Sequence, residues 1–131
     1  MTQAELIDFA TRYAAAWSSQ DPARLASFYT VGGSLTVNDG PPSVGRAAVT
    51  GTARSFMNAF PDMVVQLDRV RVQGDSIVFH WIWTGTNTGA GGTGKHVDIR
   101  GYEAWTFGDE GLIAQSKGHY DEAEYHRQLG R

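Results

Sequence analysis

The chain has 131 residues, the length of one domain, and at that size roughly two-thirds of the unfolded surface can be buried, enough for a core without covalent staples. Hydrophobic residues make up 41% and charged residues 19%, a balance foreign to disordered tails and membrane proteins. A net charge of -3, with 11 basic residues scattered among 14 acidic ones, excludes a general affinity for nucleic acid or anionic lipid, and the lack of cysteine removes disulfides, thiol nucleophiles and thiolate metal sites.

Thr2-Gln3-Ala4-Glu5 reads as a capping box, in which hydroxyl and carboxylate satisfy free amides at a helix start. Leu6, Phe9, Ala10, Tyr13, Ala14 and Trp17 then recur at helical spacing, one apolar face to about residue 18. Met1 to Arg12 carries Glu5 and Asp8 and has no apolar run, so the expectation is a cytoplasmic protein without signal peptide or membrane span. Asp21-Pro22 opens a second, short helix whose buried side is Leu25, Phe28 and Tyr29. A brief strand is predicted from Ser34 to Asn38, then a turn-rich stretch from Asp39 to Ser43. A third helix is predicted from about Val44 to Ala59, with Val49, Ala53, Phe56, Met57 and Phe60 facing inward and Pro61 ending it. From Asp62 the period changes to two, giving strands at about 63–73, 76–87, 95–107 and 111–120 and a last short helix after Asp121. Helices first and long antiparallel strands afterwards indicate a single α+β domain over 1–131, its sheet covered by helices on one face.

Strand alternation assigns the faces. Ile77, Phe79, Trp81 and Trp83 form one uniformly large, apolar set and are placed inward; Val97, Ile99, Gly101, Glu103, Trp105 and Phe107 form the matching set of the next strand. In the last strand the inward set is Ala114, Ser116, Gly118 and Tyr120, small enough to leave room. Three inward tryptophans opposite small residues either fill an ordinary core or line an apolar chamber of a few hundred cubic ångströms. Glu103 is the informative exception on an otherwise apolar stripe. An unpaired carboxylate there costs several kcal/mol, roughly, so it is either paired with a helix arginine such as Arg12 or Arg54, or held with a raised pKa as general acid-base chemistry requires.

Four runs are recognisable together: Phe60-Pro61-Asp62-Met63, Gly85-Thr86-Asn87-Thr88-Gly89, Thr93-Gly94-Lys95, and the ending from Tyr120-Asp121 to Leu129-Gly130. They resemble the SnoaL-like polyketide cyclase branch of the nuclear-transport-factor-2-like superfamily, in order and over nearly the whole chain. The resemblance implies a cone-shaped fold with a curved, mainly antiparallel sheet wrapped around a pocket, covered by three N-terminal helices. It also implies a homodimer through the outer face of the sheet, here His80, Ile82, Thr84, Arg100 and Tyr102. Asn38 stands where the superfamily often places a polar pocket residue, although Asn38-Asp39-Gly40 also reads as a turn. Asp121 matches the terminal aspartate of the closing motif, and also reads as a helix cap answered by Glu124. Two positions depart from related cyclases and epoxide hydrolases: Gly118 stands where those enzymes keep an acid, and Trp83 where an inward aspartate is expected. His119 is the nearest replacement, with outward parity.

Other signals are discounted. Gly89-Ala90-Gly91-Gly92-Thr93-Gly94 fits GxGxxG, but a strand pattern follows it, so a hairpin loop is expected rather than a phosphate cradle. His80, His96, His119 and His126 have no zinc spacing. The expectation is therefore a protein without metal or cofactor, acting on a small hydrophobic ligand, with no nucleic-acid or membrane partner. In that reading Glu103, Asn38 and Asp121 are the catalytic candidates. Tyr13, Trp17, Phe28, Phe56, Phe60, Trp81, Trp83, Trp105 and Tyr120 pack the ligand, a cyclic or carbonyl-bearing compound handled by a lyase or isomerase. The competing reading is a non-catalytic binding or dimerisation module of the same fold.

Overall fold

The computed structural model describes residues 1–131. Its first element follows from the first few side chains. Thr2 Oγ1 accepts from the Glu5 amide at 3.1 Å and Glu5 Oε1 accepts from the Thr2 amide at 2.9 Å, the reciprocal cap that starts α1 (Gln3–Trp17). Asp21 Oδ1 accepts from the Arg24 amide and starts α2 (Pro22–Ala26), with proline at the first position. Five residues earlier than expected, the chain enters β1 (Tyr29–Val37). The Val31-Gly32-Gly33 run lies ahead of the predicted strand. It is strand because a Cβ on Gly33 would lie 2.8 Å from the Ile113 carbonyl oxygen, an approach only glycine permits.

The short β2 (Ser43–Val44) pairs with β1 where the turn-rich stretch was expected to pass into helix, and Gly45, at φ 91, bends the chain into α3 (Arg46–Ala59). Then come β3 (Val64–Gln73), β4 (Ser76–Thr86), β5 (His96–Phe107), β6 (Ile113–Tyr120) and α4 (Glu122–Gln128). The six-stranded sheet has the order β2-β1-β6-β5-β4-β3, antiparallel throughout except where β1 runs parallel to β6. This is the expected α+β architecture, with α1 to α3 over the sheet and α4 added at one end. Register shifts between Tyr29 and Ser34, between Leu67 and Arg69, and between Thr106 and Phe107 interrupt the ladders; such bulges bend a strand and increase its twist.

The alternation argument holds along β4 and β5, where Phe79, Trp81, Trp83, Val97, Ile99, Glu103 and Trp105 are all buried. In β6 it slips. The irregularity near Ala114 puts Ile113 in the core and leaves Ala114 half-buried, so the inward set is Ile113, Ser116, Gly118 and Tyr120. Gly101 pairs across the ladder with Trp81, and a Cβ there would meet the Trp81 indole at 2.5 Å. The glycine lets the ring lie against β5.

The glycine-rich loop ahead of β5 is fastened to the end of α3. Asn87 Nδ2 donates to the Ala59 carbonyl at 3.1 Å, its Oδ1 accepts from the Thr93 amide at 2.8 Å, and the Gly89 amide donates to the same Ala59 carbonyl at 3.2 Å. A Cβ on Gly89 would fall on the Asn58 carbonyl. A strand follows, as the period predicts; the Gly89 amide is taken by α3, and those of Gly92, Thr93 and Gly94 by the loop itself.

Candidate functional site

Between α1, α3 and the inner face of the sheet lies a cavity of about 70 Å³. It is lined by Trp17 from α1, Leu35 and Val37 from β1, Phe56 from α3, Met63, and Val65 from β3. Trp81 and Trp83 from β4, Glu103 from β5, and Gly118 and Tyr120 from β6 complete the wall. The space is smaller than the chamber expected from strand parity, because the indoles of Trp81 and Trp83 and the Tyr120 ring pack against one another at centroid distances of 6.0 to 6.4 Å. Counted at about 10–15 Å³ per water-sized sphere, it admits a ligand head of a few heavy atoms.

Of the residues expected to pack a ligand, the structure brings Trp17, Phe56, Trp81, Trp83 and Tyr120 to the cavity wall. Phe28, Trp105 and Tyr13 belong instead to a solid aromatic cluster beside it. Trp105 stacks on Phe79 at 4.9 Å and meets Tyr13 edge-on at 5.0 Å, while Tyr13 meets Phe28 at 5.6 Å. Phe60 sits behind Trp83 at 5.1 Å, off the cavity.

Glu103 joins the cluster to the cavity. It is 6% exposed and no arginine reaches it; Arg12 pairs with Asp8 on the exposed side of α1. Three donors converge on Oε1: the Tyr13 hydroxyl at 2.7 Å, the Ser116 hydroxyl at 2.7 Å and the Trp105 indole N–H at 3.0 Å. Since the Tyr13 proton points to Glu103, the Tyr29 hydroxyl, 2.8 Å from that of Tyr13, is the donor between the two tyrosines. No protein donor reaches Oε2. That oxygen is not among the polar atoms sealed without a partner, and Glu103 lines the cavity, so Oε2 is the oxygen that opens on it.

The electrostatics follow from this asymmetry. Burial pushes the Glu103 pKa up, and the bonds from Ser116, Trp105 and Tyr13 offset part of that rise. Burial next to Glu103 also raises the Tyr13 and Tyr29 hydroxyls well above their usual value, so both stay protonated as donors. With Oε1 saturated by donors, a proton taken up by the carboxyl resides on Oε2, facing the cavity. Tyr120 is likewise raised, to about 12, mainly by burial.

The other two candidates lie behind the wall. Asn38, at φ 50, ends β1 and accepts the Tyr120 amide on Oδ1 at 3.0 Å; its Nδ2 is buried without a partner. Asp121 is exposed and caps α4 through the Glu124 amide at 3.1 Å. Both hold the backbone on either side of Tyr120, and neither lines the cavity. Gly118 is paired with Glu103 across the ladder, and a Cβ there would sit 3.6 Å from Glu103 Cγ, so the floor of the cavity is open at the position where an acid was expected. Ser116 and Tyr29 escaped sequence reasoning as partners of the carboxyl. Ser116 shares the inward parity of β6 and was there to be found; Tyr29 looked like part of α2. No group of three or more His, Asp or Glu side chains comes together in a metal-binding arrangement, and no helix is long and apolar enough to cross a membrane.

Comparison with known proteins agrees with this architecture. A protein with a ketosteroid isomerase-like fold from Catenulispora acidiphila DSM 44928, crystallised with trimethylamine, superposes with a TM-score of 0.80 at 19% identity, covering 93% of this chain and 92% of that one. An NTF2-like protein of unknown function from Burkholderia pseudomallei K96243 gives 0.80 at 17% identity over 100% of both chains. TerC, co-crystallised with polyporic acid, gives 0.78 at 15% identity over 95% and 98%. At these identities the likeness establishes the fold. No curated protein matches the chain. The SnoaL-like domain model matches residues 10–116, from the middle of α1 to the middle of β6, and the chain is therefore a member of the SnoaL-like domain family.

Proposed function

We propose that the protein binds a small, largely apolar molecule in the cavity and exchanges a proton with it through Glu103, as a cofactor-independent lyase or isomerase of the cyclase type. The observation that carries this reading is the division of labour within one carboxyl group: Oε1 holds three donors and Oε2 faces the ligand space with none. A buried carboxyl with a raised pKa in an apolar wall is suited to give a proton to a carbonyl oxygen and to take one from an adjacent carbon. Such an exchange moves a double bond with no change of oxidation state. Asn38 acts in this reading as a positioning residue for Tyr120, and Asp121 as the cap of the helix that follows it. The ligands crystallised with two fold neighbours, trimethylamine and polyporic acid, support small-molecule binding.

Turnover of a panel of cyclisable and isomerisable carbonyl compounds by wild type and Glu103→Gln tests the chemistry. The expected loss is about a hundredfold or more, the usual worth of a general acid-base group; equal rates would overturn the catalytic role. A second reading, binding without catalysis, is favoured by Gly118, which leaves Glu103 as the one carboxyl in the cavity wall. It predicts ligand affinity without turnover in either protein. The proposal extends to a homodimer through the outer face, where the half-exposed Tyr102 ring lies 5.8 Å from His80 and 5.0 Å from His119. A monomer mass by light scattering at micromolar concentration contradicts that part.

A further inference from the structure

The cavity wall contains one acid and no base. Five of its side chains are aromatic, and no Lys, Arg or His lines it. These rings meet edge to face, as those of the neighbouring core do, but here they border an open space. Trp17 meets Phe56 at 82°, Phe56 meets Trp83 at 89°, Trp83 meets Tyr120 at 74° and Trp81 meets Tyr120 at 62°. All five rings line the same space as Glu103, whose Oε2 has no protein donor. An aromatic face is electron-rich and attracts cations, most of all when water is excluded. A buried carboxyl without a cationic partner is costly when ionised, and here the protein supplies none: the two ion pairs, Arg12–Asp8 and Arg127–Glu124, are both on exposed helix faces.

We infer that the cavity is a cation box, and that its ligand carries a compact alkylated ammonium head seated among Trp17, Phe56, Trp81, Trp83 and Tyr120, with Glu103 Oε2 as the counter-ion. This rests on the reading of the cavity as a small-molecule site and narrows it by naming the ligand's charge. The volume of about 70 Å³ matches a head group and not a fused-ring body, which remains outside the box. A tertiary ammonium donates its N–H to Oε2, so that the proton-exchanging oxygen is the one in contact with the ligand. A quaternary head makes the same contact by charge alone.

Calorimetric titration of the full chain separates this inference from the broader one. The probes are choline and 3,3-dimethylbutan-1-ol, which has the same shape with a neutral carbon in place of the charged nitrogen. The expected result is that choline binds at least tenfold more tightly than the alcohol, with quenching of tryptophan fluorescence. Glu103→Gln should reduce that preference at least tenfold. The wild-type protein gives an independent readout, because choline affinity should rise with pH until Glu103 is ionised and then level off. The only other titratable groups facing that carboxyl are Tyr13 and Tyr29 behind it and Tyr120 across the cavity, and all three stay neutral over this range. Equal or tighter binding of the alcohol overturns the cation box and leaves the small-molecule site standing. Binding of neither probe overturns the cation box, and failure of every compound in the carbonyl panel as well would overturn the site itself.

Discussion

Replacing Tyr13 by phenylalanine removes one oxygen from the molecule and leaves every ring contact of the aromatic cluster in place. That oxygen does two jobs: it donates to Glu103 Oε1 at 2.7 Å and accepts from the Tyr29 hydroxyl at 2.8 Å. A hydrogen bond to a charged group contributes about 1.5–3 kcal/mol and one between neutral groups about 1 kcal/mol. At a pH where Glu103 is ionised, Tyr13→Phe should therefore cost about 3 kcal/mol. Where Glu103 is neutral, both lost bonds are neutral ones and the cost should be nearer 2 kcal/mol. The sign of the pH dependence follows. The Glu103 pKa is raised in the fold above the 4.5 of a free glutamate, so its neutral form is favoured on folding and stability falls as pH rises from that value through the folded pKa. Tyr13 lowers the folded pKa, hence its loss raises it further, and the gap between variant and wild type widens with pH in that window. Urea unfolding at half-unit pH steps measures this directly. Tyr29→Phe, one hydroxyl farther from the carboxyl, is the control, with a cost near 1 kcal/mol and little pH dependence. A Tyr13→Phe loss that is flat with pH, or no larger than that of Tyr29→Phe, would refute the assignment of Oε1 as the oxygen that carries the donors.

Two further variants test the cavity from opposite sides. Gly118→Ala adds a methyl group in ordinary contact with Glu103 Cγ at 3.6 Å and the Thr36 carbonyl at 3.5 Å, so stability should change by less than about 1 kcal/mol, while calorimetry should show ligand affinity falling at least tenfold. Asp121→Ala should cost about 1 kcal/mol in thermal or urea unfolding by loss of the α4 cap, with ligand affinity unchanged, because Asp121 lies outside the cavity wall; a large loss of affinity with little loss of stability would instead give it a direct role.

What was legible in the sequence was what depends on local periodicity. The caps at Thr2 and Asp21, the alternation of Phe79, Trp81 and Trp83, and the placement of Glu103 on an inward stripe all follow from neighbours a few residues away, and the structure keeps them. What was not legible depends on partners far along the chain. Val31-Gly32-Gly33 becomes strand only because Ile113 passes 2.8 Å from where a side chain on Gly33 would begin. The bulge near Ala114 puts Ile113 inward in its place, while Ser116, Gly118 and Tyr120 keep the face that parity gives them. Of the two alternatives for Glu103, an arginine partner and a raised pKa, the structure has the second; hydroxyls from Tyr13 and Ser116, 90 and 13 residues away, hold the carboxyl. Tyr13 and Trp105 read as ligand-packing rings from size with helical spacing or strand parity, and neither period separates the wall of a cavity from the solid core one layer behind it.

The most direct test is the titration of the Glu103 carboxyl carbon by NMR in the wild-type chain, assigned by comparison with Glu103→Gln. A carboxyl buried without a cationic partner, opening by one oxygen on an aromatic cavity, should titrate above the ordinary 4.5 of a glutamate and move down when choline is added. Titration at or below that value in the free protein would mean that water or a cation reaches the group, and the cavity would lose both its acid and its counter-ion.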